Sequence, residues 1–264
     1  MSDYIHTHSP EEQERLFKQG KFLENIVYRA FDLSKYKNIA ELGCGNGGNT
    51  TLLLEKAPDA RITAIDISPE QITAASNQIT DPRATFKTGD ICQLAAPDNQ
   101  YDCAFICWVL EHLSDPQQAI NEAYRILEPG GQLLITEVFN NSLYLYPETC
   151  PGILHYYKAF NDLQRSFNGF PNVGARLGSL LNNTGFQSIE IIAAPVLFDN
   201  RTPQLRNQMT DYYIDLLLSA KEELISRQLI NSGLPDQMMS EKEAFKAHPD
   251  AVFHYMPIQA IATK

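Results

Sequence analysis

The feature that most constrains the fold is a glycine-rich turn that directly follows an apolar run. The run 39–42 leads into Gly43, Gly45 and Gly48, and the sequence after them favours a helix. This order of strand, tight turn and helix is typical of a nucleotide-binding βαβ unit. Glycine suits the turn because the turn requires backbone angles that are unfavourable for other residues. In addition, a ligand can approach bare backbone only where no Cβ intervenes.

The next apolar segment supports this interpretation because it ends in a carboxylate. Residues 61–66 read as a second strand that ends at Asp66. In nucleotide-binding folds an acid about 20 residues after the glycines accepts hydrogen bonds from the ribose hydroxyls. Together the two segments predict a site for a nucleoside-containing ligand at the carboxyl ends of the strands.

Three further features distinguish between ligands that share this geometry. Glu41 lies two residues before Gly43, where a dinucleotide-binding strand normally keeps an apolar residue. The triplet Gly-Asp-Ile at 89–91 follows a third strand, and Leu-Glu-Pro-Gly-Gly at 127–131 precedes a fifth. With these motifs in this order, the chain resembles the class I S-adenosylmethionine-dependent methyltransferases.

That resemblance implies S-adenosylmethionine as the cofactor and suggests a role for each residue at the strand ends. The backbone of Gly43 and Gly45 would lie against the methionine and ribose parts, and Glu41 would favour the positively charged end of the cofactor. Asp66 would accept from the ribose hydroxyls, and Ile67 would pack on the adenine. Asp90 and Ile91 would also contact the adenine. Cys107 and Trp108 would border the methionine part and the methyl group.

Alternating strands and helices predict an α/β fold with a doubly wound, seven-stranded, mostly parallel sheet of the Rossmann-like methyltransferase type. We expect strands near 38–42, 61–66, 84–88, 101–107, 132–138, 188–194 and 252–262. The methyltransferase domain is expected to span 36–264, after a helical leader or lid at 1–35, with helical insertions at about 139–170 and 195–249. Residues 202–230 read as long helical sequence, which would cap the site or build an interface between copies of the chain.

The leader carries the pattern Y-x-H-x-x-S-x-x-E-x-x-R-L from Tyr4 to Leu16. It resembles the start of a bacterial, natural-product type branch of small-molecule methyltransferases, in which this segment covers the cofactor. That branch usually has glycine where Thr7 stands. The candidates for a catalytic role are Tyr4, His6 and His8 in the leader and His112 in a Glu-His-Leu triplet. His112 would contact the substrate or cap its own loop. A general base is needed only if the nucleophile loses a proton early.

Composition narrows the classes of partner. The 264 residues, 44% of them hydrophobic, suffice for one large core. A formal net charge of −11 disfavours nucleic acid, whose binding depends on Lys and Arg. Five scattered cysteines without a CxxC pair predict neither a disulfide framework nor a metal site. This cysteine pattern fits a reducing, cytoplasmic setting. We also expect no signal peptide and no membrane span.

The acceptor of the methyl group is less constrained than the cofactor. Aromatic side chains in the leader, after the fourth strand and after the fifth suggest a small aromatic or amphiphilic molecule: Tyr4, Tyr28, Trp108, Tyr144, Tyr146 and Tyr157. The accepting atom could be O, N or C. Two alternatives remain open, a nicotinamide-dependent oxidoreductase and a cofactor-binding interaction protein that does not methylate.

Overall fold

The computed structural model describes residues 22–264, and ten strands lie in this range. They are β1 Asn38–Leu42, β2 Arg61–Asp66, β3 Ala84–Thr88, β4 Tyr101–Cys107, β5 Leu127–Glu137, β6 Tyr144–Tyr146, β7 Ser188–Ala193, β8 Val196–Phe198, β9 Val252–Tyr255 and β10 Ile258–Thr263. Seven of them form one sheet in the order β3-β2-β1-β4-β5-β10-β7. The first five of these are parallel, and β10 is antiparallel to both of its neighbours. The predicted fold class is confirmed.

Helices connect the strands and pack on the sheet. They are α1 Gly48–Lys56, α2 Pro69–Gln78, α3 Pro116–Ile126, α4 Pro151–Ser166, α5 Leu177–Thr184, α6 Pro203–Leu218, α7 Lys221–Ser226 and α8 Leu234–Ala247. The start of α2 shows why the sequence folds this way. The Ser68 hydroxyl accepts a hydrogen bond from the Gln71 N–H, and Pro69 takes the first helical position, where its missing N–H costs nothing.

Two clusters of buried apolar side chains lie on opposite faces of the main sheet. Successive residues of a strand point to opposite faces, and Ile39 and Phe105 belong to one cluster while Ala40 and Ala104 belong to the other. A central parallel strand covered on both faces must be apolar at nearly every position. This explains the nearly continuous apolar sequence of β4.

The prediction of a single closing strand over 252–262 is wrong. This segment forms β9 and β10, which Met256 and Pro257 separate. β9 lies in a second, three-stranded antiparallel sheet in the order β6-β9-β8, whereas β10 completes the main sheet. Proline has no N–H to donate to a ladder, so a strand is readily interrupted at such a position.

Two other element boundaries also differ from the prediction. The long helical sequence expected at 202–230 breaks near Ser219 into α6 and α7, and α8 follows as a further helix. β5 begins at Leu127 instead of Gln132, because Leu127 already pairs with Tyr101 before the register shifts. Within residues 22–264, no helix is long and apolar enough to cross a membrane.

The described part of the leader is tied to the sheet and to α1. Residues 22–27 are helical, and the Val27 carbonyl accepts hydrogen bonds from Thr136 Oγ1 at 3.0 Å and Gln259 Nε2 at 2.6 Å. An ion pair joins Glu24 to Lys56 of α1 at 2.7 Å. The rest of the predicted leader helices, with Tyr4 and His6, lies outside the described residues.

Candidate active site

The glycine turn forms as the sequence predicts, and its three positive φ angles explain why glycine is needed. φ is 85° at Gly43, 52° at Gly45 and 88° at Gly47. The N–H groups of Gly43 and Cys44 donate to the Ile65 carbonyl at 2.8 and 3.0 Å, which ties the turn to β2. A Cβ added to Gly45 would meet no atom of residues 22–264 within 4 Å. Among these residues, nothing covers the bare backbone of the turn.

Asp66 lies beside this open backbone, at the tip of β2. Its Oδ2 accepts the Gly45 N–H at 2.8 Å and its Oδ1 accepts the Ser68 N–H at 2.9 Å. A carboxylate has about four lone-pair sites, so both oxygens retain capacity for a further donor such as a ribose hydroxyl. The next residue, Ile67, is 57% exposed although it is apolar. An acceptor, bare backbone and an exposed apolar side chain thus adjoin one another, which fits the adenosine part of the implied cofactor.

The third strand contributes Asp90 and Ile91 to the same edge of the sheet. Asp90 is exposed, and its Oδ1 accepts the Cys92 N–H at 2.8 Å, which shapes the loop after β3. Ile91 is buried in the core. The Gly89 N–H donates to the Asp66 carbonyl at 2.9 Å and holds this loop next to β2.

Glu41 is almost completely buried below the turn. Its Oε2 accepts a hydrogen bond from the Thr50 hydroxyl at 2.5 Å. Burial raises the pKa of Glu41 to about 8, the Thr50 hydrogen bond opposes this shift, and the charge of Asp66 adds to it. In this environment the carboxyl is mainly protonated at neutral pH, and it joins the end of β1 to α1.

The end of β4 brings Cys107 and Trp108 to the same edge. Cys107 is buried, and burial raises its pKa far above the usual range, so the thiol stays protonated. Trp108 is half-buried and has φ +55°, a value that residues other than glycine seldom adopt. Its N–H donates to the Thr136 carbonyl at 3.0 Å.

Glu137 fixes the turn after β4, and the sequence motifs did not point to it. The Glu137 side chain is fully buried, and its Oε1 accepts the N–H groups of Val109 at 2.9 Å and Leu110 at 2.8 Å. Burial and the charge of Glu111 raise the pKa of Glu137 to about 8, and the two N–H donors oppose the shift. One signal could have found it, since this acid ends an otherwise apolar strand.

His112 follows this turn in a short 3₁₀ helix and is half-buried. Its Nε2 lies 3.8 Å from Oε1 of the buried Glu111. The other carboxylate oxygen of Glu111 accepts a hydrogen bond from Gln164 Nε2 of α4 at 2.7 Å. Burial raises the pKa of Glu111, while the nearby His112 and the Gln164 hydrogen bond lower it. An imidazole with a fixed carboxyl partner is thus placed beyond the end of β4.

The tyrosines named as candidate acceptor contacts fall into two groups. Tyr144 and Tyr146 are exposed on β6, at 45% and 46%. Tyr28 and Tyr157 are buried: Tyr28 stacks on Phe105, and the Tyr157 hydroxyl donates to the Asn140 carbonyl at 2.9 Å. The expectation of exposed aromatic faces is therefore wrong for these two, because α1 and the insertion helices cover them.

Asn140, just beyond β5, is the centre of a polar network that the sequence did not reveal. Its Oδ1 accepts the Tyr255 hydroxyl at 2.9 Å, and its Nδ2 donates to Asn161 Oδ1 at 2.7 Å. The Tyr213 hydroxyl donates in turn to the Tyr157 hydroxyl at 3.1 Å. The network joins the loop after β5 to α4, α6 and β9.

Comparisons with known proteins agree with this geometry. Residues 40–135 match the family model described as "Methyltransferase domain". A demethylmenaquinone methyltransferase of Listeria monocytogenes is 27% identical over 177 residues, which cover 61% of this chain and 74% of that protein. An uncharacterised 37.1 kDa protein in transposon TN4556 of Streptomyces fradiae is 35% identical over 128 residues, but the match covers only 37% of its length and 47% of this chain.

Among solved structures, a phosphoethanolamine N-methyltransferase 2 of Haemonchus contortus superposes with a TM-score of 0.58 at 17% identity. The superposition covers 94% of this chain and 52% of the other, so this chain spans about half of that enzyme. At this identity the likeness shows the fold alone. Residues 40–135 thus form a methyltransferase domain, and in its fold and ordered motifs the chain is similar to the class I S-adenosylmethionine-dependent methyltransferases.

Proposed function

We propose that the protein transfers a methyl group from S-adenosylmethionine to an O, N or C atom of a small aromatic or amphiphilic molecule. The observation that carries the cofactor half of this proposal is the arrangement at the tip of β2. There the Asp66 carboxylate, the open backbone of Gly45 and the exposed Ile67 adjoin one another. This combination suits the hydroxyls, the ribose and the adenine face of one nucleoside.

Residues at the neighbouring strand ends would bind the remaining parts of the cofactor. Asp90 would accept from the adenine amine, and the backbone N–H of Ile91 would donate to a ring nitrogen. Cys107 and Trp108 would border the methionine part and the methyl group. Glu41 is mainly protonated below the turn, so it would favour the positively charged end only if that charge, on binding, lowers the pKa of the carboxyl enough to ionise it.

The cofactor, when bound, would supply a methyl group on a sulfonium, from which a neutral thioether departs as the leaving group. The contribution of the protein is to hold the acceptor in line with that group and to exclude water. Orientation of this kind can account for up to about 7–11 kcal/mol of a reaction barrier. His112 is the described residue best placed to take a proton from the acceptor, because Glu111 and Gln164 fix its surroundings.

The acceptor would enter from the ends of β4 and β5, on the side of the site away from β2. Trp108 and the network around Asn140 and Tyr255 lie there, and they combine apolar surface with polar atoms. Acceptor specificity is proposed to depend on this wall, on the insertion after β5 and on the leader. Tyr4 and His6, outside the described residues, are proposed to belong to a lid over the methyl group.

The remaining proposals concern the setting of the enzyme. All five cysteines are free thiols, which supports a reducing, cytoplasmic compartment. The net charge of −11 favours a small-molecule partner over nucleic acid. The helical insertion at 195–249 remains a proposed interface for a homo-oligomer.

A two-part experiment tests the function. Calorimetry with S-adenosylmethionine and with NAD separates a methyltransferase from an oxidoreductase, and we expect binding of the former only. A panel of phenols, amines and amphiphilic quinols is then incubated with radiolabelled cofactor. Transfer of label supports the proposal, whereas tight cofactor binding without transfer to any panel member would support the alternative of an interaction protein.

A further inference from the structure

The turn after β4 is held by the last two residues of β5. Three successive N–H groups, of Trp108, Val109 and Leu110, donate to acceptors on Thr136 and Glu137 at 3.0, 2.9 and 2.8 Å. Two of the three go to Oε1 of Glu137. Because buried N–H groups require acceptors, this carboxyl replaces the ladder partners that the backbone lacks where the strand ends.

The turn is strained, and this strain needs an external constraint. Trp108 has φ +55°, in the left-handed region that a bulky side chain disfavours. Such conformations are unfavourable and persist only where the surroundings determine them. Here the constraint comes from Thr136 and Glu137, because they accept the N–H groups of Trp108 and of the two residues that follow it.

The same turn also contacts the glycine turn directly. A Cβ added to Gly43 would lie 2.7 Å from Cγ1 of Val109, so the Val109 side chain occupies the space that the missing Cβ leaves. A shift of the turn after β4 therefore changes the packing at Gly43 and the position of Trp108 together. Both residues border the proposed methionine side of the cofactor site.

We propose that Glu137 is a positioning residue for the cofactor: by holding residues 108–110 it sets the wall against which the amino-acid part of S-adenosylmethionine binds. The inference rests on the proposed function. The adenosine part would bind at Asp66 and Ile67 on β2, which β1 separates from β4 in the sheet. Loss of the Glu137 acceptor should therefore affect the two halves of the ligand unequally.

The chemistry of the carboxyl determines which substitutions are informative. A protonated carboxyl accepts N–H groups through its carbonyl oxygen, and the amide of glutamine offers the same oxygen in the same place. Glu137→Gln should therefore preserve the turn. Glu137→Leu keeps much of the volume but removes the acceptor, and it leaves the N–H groups of Val109 and Leu110 buried without a partner.

The experiment uses the full chain and two probes, S-adenosylmethionine and 5′-methylthioadenosine, which lacks the amino-acid part. We expect Glu137→Leu to bind S-adenosylmethionine at least tenfold more weakly while its affinity for 5′-methylthioadenosine stays within twofold of the unsubstituted protein. Glu137→Gln should bind both probes within twofold. Leu224→Ala, on the buried face of α7, serves as a control for general loss of stability.

Equal weakening of both probes in Glu137→Leu, or no weakening, would overturn the proposal. If Glu137→Leu fails to fold, Val109→Ala tests the same link without an unpaired buried group, and we expect at least threefold weaker binding of S-adenosylmethionine alone. If Val109→Ala changed the affinity for both probes by the same factor, or changed neither, the proposal would then be overturned. The proposed function is tested separately, since it fails only if the unsubstituted protein binds no S-adenosylmethionine or methylates no acceptor.

Discussion

The carboxylate of Asp66 accepts a hydrogen bond from the backbone N–H of Gly45 across 2.8 Å, and this contact joins the tip of β2 to the glycine turn. The second oxygen is held by the Ser68 N–H. Both contacts fix the carboxylate before a ligand arrives, and a preorganised group loses little conformational entropy on binding. Asp66 and Gly45, which are 21 residues apart in the sequence, are thus in direct contact.

Replacement of Asp66 tests this contact. Asp66→Ala should weaken binding of S-adenosylmethionine by about 1.5–3 kcal/mol, because hydrogen bonds to a charged group are lost and the ribose hydroxyls lose their acceptor. Asp66→Asn keeps one acceptor oxygen and should lose less. Calorimetry measures both affinities, and circular dichroism checks folding. A folded Asp66→Ala protein with unchanged affinity would show that the ribose binds elsewhere.

Gly45 tests the open side of the turn. Gly45→Val should abolish cofactor binding, because a branched side chain would fill the space that the ligand needs. Gly130 provides a matched control: φ is +83° there against +52° at Gly45, and in the described part of the chain a Cβ at either position would meet nothing within 4 Å. Gly130→Val should therefore lose stability without loss of binding.

The readout for this pair is the rise in melting temperature on addition of S-adenosylmethionine. The rise should vanish in Gly45→Val and persist in Gly130→Val. If the ligand still stabilised Gly45→Val as it stabilises the unsubstituted protein, the glycine turn would not be the cofactor site.

The glycine-turn half of the fold could be predicted from the sequence because its signals are local. The bounds of β1, β2, β3 and β4 follow from short apolar runs, turn residues and helix caps. The residues proposed to bind the cofactor also lie at the ends of these strands. Position in the chain therefore predicts position at the edge of the sheet.

The other half depends on contacts between distant residues. Tyr144 pairs with His254 in the small sheet, and nothing in either three- or four-residue strand identifies its partner. Glu137 likewise reads as the polar end of an apolar strand. Its function follows only once β4 and β5 are neighbours and the N–H groups of Val109 and Leu110 face it. These contacts exist only because distant strands pair, and the sequence alone does not show which strands pair.

The buried acids predict a pH dependence of stability. Burial raises the pKa of Glu41 from 4.5 to about 8, so the folded protein binds a proton that the unfolded chain releases between these values. This contribution is fully present below pH 4.5 and is lost as pH rises through about 8. The free energy of unfolding should therefore fall with rising pH, by up to about 1.4 kcal/mol per unit for one such group.

Glu41→Gln should flatten this decline because the amide does not ionise. Glu137 has a pKa raised to about 8 as well, so the double variant with Glu137→Gln should flatten it further. Urea unfolding at pH 5, 6, 7 and 8 measures the slope. Glu128→Gln, at an exposed position, is the control and should leave the slope unchanged. An unaltered slope in Glu41→Gln would mean that Glu41 is ionised in the folded protein.

The last prediction concerns His112, whose Nε2 lies 3.8 Å from the Glu111 carboxylate. If the imidazole takes a proton from the acceptor, His112→Gln should lower turnover about 100-fold, at the low end of general base catalysis. Affinity for S-adenosylmethionine should change less than twofold, because the proposed cofactor contacts lie elsewhere. Gln164→Leu removes the hydrogen bond that fixes Glu111 and should lower turnover more mildly. Turnover is measured with the acceptor that the panel identifies, beside the melting temperature of each variant. Turnover of His112→Gln at the rate of the unsubstituted protein would show that His112 only caps the loop after β4, and that orientation of the acceptor suffices for the reaction.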